Sequence, residues 1–219
     1  MDKLRIHFEK TGRAVYISHL DLMRTMQRAF LRSQLPLKYS EGFNPHAQLT
    51  FALPLSVGTA SSCELMDFSL REYTEPSEIC FRLNRSLPEG IYIKDVYPAE
   101  RKFKDIKWLE IDGEFEYDSG CSDWLLSRLC EFFAEESIVI TRKTKSGEGQ
   151  ADIAPSLRSI CFDGGKNTVS LNALISAQEP TLNPEHIISA LRQLAPELCP
   201  DFAHFRRKQL FDIEMLPFK

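Results

Sequence analysis

One order of hydrophobic periods runs through this sequence twice. Leu4, Ile6 and Phe8 alternate with Arg5 and His7, the period of two that a half-buried strand requires. Ser18 then opens a stretch in which Leu20, Met23, Met26, Phe30 and Leu31 fall at helical spacing, and Pro36 closes it. Strand-like runs follow at 48–53 and 62–70. A second helix starts at Thr74, with Pro76 in its first turn and Ile79, Leu83 and Leu87 four residues apart, and a strand at 91–97 ends the round. After the charged segment 98–106 the order returns, offset by roughly 105 residues. Its elements are a strand at 107–117, a helix from Ser122 to Glu135, strands at 137–143, 157–162 and 168–174, a helix from Asn183 and Pro184 to Leu194, and a strand at 205–215. Asp163-Gly164-Gly165 between two apolar runs signals a hairpin.

A β-α-β-β-α-β order is the ferredoxin-like plan, an antiparallel sheet with both helices on one face. The expected class is therefore α+β, with two tandem ferredoxin-like (βαββαβ) units built on antiparallel sheets. The first spans 1–98 and the second 107–219. Parallel winding is disfavoured, because it alternates single strands with single helices. The second round holds one strand more than the plan needs.

Composition narrows the function. Of 219 residues, 43% are hydrophobic and 26% charged, enough apolar material for a core. Neither G-x-G-x-x-G nor G-x-x-x-x-G-K-[ST] occurs, which disfavours phosphate loops of those kinds. The net charge of -4 gives no global attraction to polyanions, so any such site must be local. No apolar run is long enough to span a bilayer, and MDKLRIHFEK carries charges where a signal peptide would be apolar. A cytoplasmic protein without membrane contact is expected. The six cysteines, at 63, 80, 121, 130, 161 and 199, show no C-x-x-C or C-x-x-x-C-x-x-C spacing and read as reduced, buried thiols. With no zinc spacing and no H-E-x-x-H, no metal site and no cofactor are expected.

The informative stretch lies between residues 13 and 46. Arg24, Arg28 and Arg32 stand at i, i+4 and i+8, which drift by about 40° per step and form one continuous stripe. Arg13, Arg24, Arg28, Arg32 and Lys38 against Asp21 and Glu41 leave a local charge of +3. Each guanidinium can fork a phosphate, or the stripe can be a solvated helix face. Tyr39, Ser40, Glu41, Gly42, Phe43, Asn44, Pro45 and His46 then form a turn-rich segment with unusual chemical variety. Phe43 can stack a base, Asn44 can read a base edge and Gly42 lets the backbone approach a ligand. A structural turn, with Gly42 at positive φ and His46 packed over the sheet, fits the same residues. Ser18 and Asp21 suit the start of the first helix, Ser18 as its cap, and His19 beside them meets the helix's positive end, where it either packs or acts as a base. Two basic clusters in the second round, Arg142, Lys143 and Lys145, then His204 to Lys208 with Phe205, Arg206 and Arg207, are either solvated faces or secondary candidates that join the arginine stripe in a single-stranded RNA groove between the units.

The string Tyr16-Ile-Ser-His-Leu-Asp-Leu-Met-Arg24, followed by Arg28, Pro36, Tyr39-Ser-Glu-Gly-Phe-Asn-Pro-His46 and Pro54-Leu-x-x-Gly58, resembles the signature of the radical SAM-associated domain family of unknown function. The resemblance covers about the first 70 residues. It implies a bacterial protein whose partner is a radical SAM protein, fused to it or encoded beside it. The thiolate spacing that holds a radical enzyme's cluster is missing here, so radical chemistry would belong to the partner. The reading that follows is a non-catalytic accessory module that binds or presents RNA of the tRNA or rRNA type, through Ser18, His19, Asp21, the arginine stripe and the loop 39–46. Two alternatives remain open. One is a protein-only adaptor docking the radical SAM partner through the same loop. The other is a metal-independent endoribonuclease, since the tandem plan is similar to that of CRISPR repeat-cleaving enzymes, with His19 and His46 as its base candidates.

Overall fold

The computed structural model describes residues 3–144 and 147–219. The chain is a mixed α+β protein with mostly antiparallel pairing and four α-helices among the described residues. It divides into two compact units, one running to Asp105 and taking in Lys219, the other from Ile106 to Phe218. No helix among the described residues is long and apolar enough to cross a membrane.

The first unit contains β1 (Leu4–Lys10), α1 (His19–Arg32), β2 (Leu49–Phe51), β3 (Ala60–Phe68), α2 (Pro76–Asn84) and β4 (Ile91–Pro98). Its sheet runs β4-β1-β3-β2, every neighbouring pair antiparallel. Alternation along β1 sends Ile6 and Phe8 into a core shared with Met26 and Phe30 of α1, Ile79 and Leu83 of α2, and Met66 and Phe68 of β3. Both helices thus cover one face. The buried stripe of α1 is Leu22, Met26, Ala29 and Phe30. Leu20 and Leu31, expected in that stripe, are 62% and 66% exposed. Helical geometry explains the correction: eleven residues apart, they align with each other on the side away from the sheet.

The opposite face of β1 is not the solvent face that its polar residues suggest. Arg5 is wholly buried, its Nε donating to Asp67 Oδ1 at 2.7 Å and its Nη2 to Oδ2 at 3.1 Å. Its guanidinium also donates to the carbonyls of Arg101 and Lys219 and lies 4.2 Å from the centre of the Phe103 ring.

The second unit contains β5 (Trp108–Glu116), α3 (Asp123–Phe133), β6 (Val139–Thr144), β7 (Gly147–Asp152), β8 (Leu157–Gly164), β9 (Thr168–Ser176), α4 (Glu185–Leu194) and β10 (Phe202–Phe211). Its antiparallel sheet runs β10-β5-β9-β8. The surplus strand of the second round is one arm of a separate hairpin, β6-β7, tied to α4 where Gln193 Oε1 accepts from the Thr141 N–H and Nε2 donates to the Thr141 carbonyl. The last strand starts earlier than expected, where Phe202 pairs with Glu116, and stops earlier because Asp212 Oδ1 accepts the N–H groups of Glu214 and Leu216 and turns the chain. No disulfide forms among the described residues, and of the six cysteines Cys63 alone is buried, while Cys130 and Cys161 are exposed.

Candidate nucleic-acid interface

The entry to α1 is fixed from below. Lys10, 1% exposed, donates from Nζ to the carbonyls of Val15 and Ile17 at 3.1 and 3.2 Å, which pins the turn before the helix. Ser18 Oγ accepts the Asp21 N–H at 3.1 Å and donates to Asp21 Oδ2 at 2.8 Å, so the expected cap is present. Arg24 reaches Asp21 Oδ1 at 3.1 Å. The Ser18 hydroxyl, and after it the Arg24 guanidinium, hold the Asp21 carboxyl below its ordinary range. His19 packs against an aromatic neighbour. Its half-buried ring meets Phe51 edge-on at 5.3 Å, and Phe51 meets Phe8 at 6.2 Å. Its Nδ1 is buried without a hydrogen-bond partner among the described residues.

Arg24, Arg28 and Arg32 are all exposed. Arg24 contacts only the exposed Asp21, Arg32 donates to the Ser86 carbonyl at 2.6 Å, and Arg28 makes no hydrogen bond among the described residues. The stripe therefore lies exposed on the outer face of α1, with Arg28 uncommitted among the described residues and Arg24 and Arg32 each holding one exposed intramolecular contact.

Six positions separate Arg32 from Lys38, where the loop begins, so the two lie within about 22 Å. The loop is closed at its base. The Lys38 N–H donates to Ser69, Gln48 donates back to Lys38, and Tyr39 bridges Ala47. Above that, the Ser40 N–H donates to the His46 carbonyl at 2.8 Å, and the His46 N–H donates to Ser40 Oγ at 3.0 Å. The Ser40 hydroxyl, having accepted that N–H, lies 2.9 Å from His46 Nδ1 and can donate to it. Glu41, Gly42, Phe43, Asn44, Pro45 and His46 are all exposed, Phe43 completely. Gly42 has φ +120° with nothing near its missing side chain, so the backbone, not space, demands glycine. His46 is not packed over the sheet; it belongs to the loop's own clasp. His19 and His46 accordingly have separate partners and are not brought to one point.

The secondary clusters divide. On β10, alternation buries Phe205 edge-on against Phe115 at 6.1 Å and buries Arg207 with it. Arg206 stays exposed, but its neighbours are matched by carboxylates of β5: Lys208 lies 3.4 Å from Asp112 and 3.5 Å from Glu110, and His204 lies 3.5 Å from Glu116. An interleaved stacking ring is therefore excluded there, since Phe205 is in the core. Arg142 is exposed on β6, Lys143 lies on the same strand, and Lys145 falls outside the described residues. No group of three or more His, Cys, Asp or Glu among the described residues is placed to hold a metal ion.

The profile of a family described as an uncharacterized protein conserved in bacteria (DUF2344) matches residues 3–184. The chain belongs to that family. No curated protein matches it. Among solved structures, a chain of a Cbf5-Nop10-Gar1 complex is similar over 94% of this chain, with 7% identity and a TM-score of 0.55, a likeness of fold alone. This member of the bacterial family spans 48% of that solved chain. An unknown protein from Galdieria sulphuraria aligns over 97% of this chain and 98% of its own, with 10% identity and a TM-score of 0.27.

The structure adds Arg71 and Leu70 at the foot of the loop, beside Lys38 and Tyr39. Arg71 and Lys38, both exposed, line a cavity of about 350 Å³ together with Tyr39 and Leu70. Leu70 also walls a second cavity of about 320 Å³, completed by Leu4, Glu72, Tyr73, Thr74, Pro76 and Pro98. No local signal marks Arg71. It arrives beside Lys38 because its N–H donates to the Pro36 carbonyl and Leu70 bridges Leu37.

Proposed function

We propose that this chain is a cytoplasmic, non-catalytic accessory module of a radical SAM protein, and that it binds RNA and presents it to that partner. The link to a radical SAM protein rests on the resemblance of residues 16–58 to the associated-domain signature. The RNA reading rests on one observation: three exposed arginines on the outer face of α1 lead into a closed loop whose Phe43 ring is fully exposed. Guanidinium forks with a stacking ring are the elements that single-stranded RNA recognition uses. The two sheet orders, β4-β1-β3-β2 and β10-β5-β9-β8, support assigning both units to the ferredoxin-like plan.

RNA binding should be weak and steeply salt-dependent, since the net charge is -4 and the attraction is local. Arg28→Ala should lower the slope of log affinity against log salt by about 0.7 to 0.9, the value of one lost phosphate contact. No cleavage is expected. Metal-free cutting that His19→Ala or His46→Ala abolishes would transfer the function to the endoribonuclease reading.

A protein-only adaptor is the second reading, and Leu20 and Leu31 favour it. They are exposed in line with each other and beside Arg24, an apolar and cationic strip that a partner helix could cover. If Leu20→Ser with Leu31→Ser releases the radical SAM partner while the wild-type chain binds no RNA at low salt, the adaptor reading replaces the first.

A further inference from the structure

The two cavities that share Leu70 have opposite chemistry. One side offers Lys38 and Arg71, whose side chains make no hydrogen bond among the described residues. The other is walled by Leu4, Leu70, Pro76 and Pro98, with the exposed Glu72 and Tyr73 at its edge. The Tyr73 hydroxyl donates to Glu75 Oε2 at 2.5 Å, which fixes the ring's orientation and, through that carboxylate, raises the phenol's pKa. At about 320 Å³ the apolar side is at the small end of ligand cavities and suits a single ring system rather than a run of them.

We infer that these cavities form a single-nucleotide pocket, with the phosphate on Lys38 and Arg71 and an amino-bearing base (cytosine, adenine or guanine) in the apolar side against Tyr73 and Glu72. The inference deepens the RNA reading above and rests on it. Charge sets the direction. Glu72 and Glu75 repel a phosphate from the apolar cavity, while Lys38 and Arg71 attract it to the neighbouring one. Chemistry sets the base. A carboxylate only accepts hydrogen bonds, so Glu72 suits the exocyclic amine of cytosine, adenine or guanine and opposes uracil, which has no exocyclic amine and presents carbonyl oxygens on both sides of its N3–H. Tyr73 and the two proline rings supply flat surfaces for an unstacked base, as single-stranded recognition requires. Because Tyr39 lines the cationic cavity and begins the loop 39–46, a strand seated here continues toward Phe43.

The test is fluorescence anisotropy of the full chain with labelled twelve-nucleotide oligo(C), oligo(A) and oligo(U). The wild type should bind oligo(C) and oligo(A) about 10-fold more tightly than oligo(U), the effect of one well-placed polar contact to a base edge. Glu72→Gln, whose amide both donates and accepts, should bring the three within about 2-fold of each other. Lys38→Ala and Arg71→Ala should weaken all three alike, and the double variant should lower the salt slope by about 0.7, the value of the one phosphate the two cations share. Equal binding of the three oligomers by the wild type, or a preference that survives Glu72→Gln, overturns the pocket and leaves general RNA binding standing. Absence of any binding at low salt overturns the pocket and the RNA reading together.

Discussion

Arg5 shows how far one side chain's role can depend on residues distant in sequence. A guanidinium with no exposed surface must have its charge matched, and Asp67 does so with two parallel hydrogen bonds, 62 positions away. Replacing both partners by apolar residues removes two desolvation costs at once, whereas removing one leaves a buried charge. Asp67→Ala should therefore destabilise the first unit by about 3 to 5 kcal/mol, and the double variant Arg5→Leu with Asp67→Leu should recover part of that loss. Urea denaturation, followed by amide exchange of β1, measures both. A double variant no more stable than Asp67→Ala would show that the bonds to Arg101 and Lys219, not the ion pair, dominate. Nothing in the string Leu-Arg-Ile-His-Phe announces this. Period two assigns Arg5 correctly to the face opposite Ile6, but period alone cannot tell whether that face meets water.

At the level of elements, what starts each helix is local and was readable. Ser18 and Ser122 cap α1 and α3, accepting the N–H groups of Asp21 and Leu125, while α2 begins at Pro76 with no side-chain cap and α4 follows Pro184, its first N–H, that of Glu185, donating to Asn183 Oδ1. Ser18→Ala should cost about 1 kcal/mol, and Ser18→Asp should retain most of it. Because the cap also anchors Asp21 against Arg24, loss of the hydroxyl should raise the Asp21 carboxyl's pKa toward its ordinary value, visible in a carboxylate titration by NMR. A titration unchanged by Ser18→Ala would remove the hydroxyl as the main cause. The elements that sequence reading missed lack such local marks. β7 reads Gly-Glu-Gly-Gln-Ala-Asp, with no apolar alternation, and exists because six residues pair with β6. The basic run His204 to Lys208 looked like a binding strip because β5 supplies its carboxylates from another part of the chain. The exposed loop 39–46 was legible for the converse reason: its clasp joins residues only six apart.

For the whole molecule, acidity provides a probe that separates the two units. Burial lowers the pKa of His7 in the first unit, with Lys94 and Lys219 adding to it and the Ser62 carbonyl and Asp95 opposing. Burial lowers that of His186 in the second, with Arg142 adding to it. A histidine whose folded pKa lies below its unfolded value of about 6.5 binds its proton more readily in the unfolded chain. Its stabilising contribution is therefore complete above the unfolded pKa and is lost as pH falls below it toward the folded pKa. Carboxylates held low, such as Asp21 and Asp152, also lose their contribution in acid, but around and below the ordinary value of 3.8, so the range from pH 7.5 to 5.5 reports the histidines. Both tryptophans, Trp108 and Trp124, lie in the second unit, and their fluorescence reports it alone. Between pH 7.5 and 5.5 the urea midpoint seen by fluorescence should fall, and His186→Gln should flatten that fall while His7→Gln leaves it. Amide exchange of β1 should show the reverse dependence. A fluorescence midpoint that His7→Gln flattens as strongly as His186→Gln would mean that the two units unfold as one, and the separate assignment of the two histidines would fail.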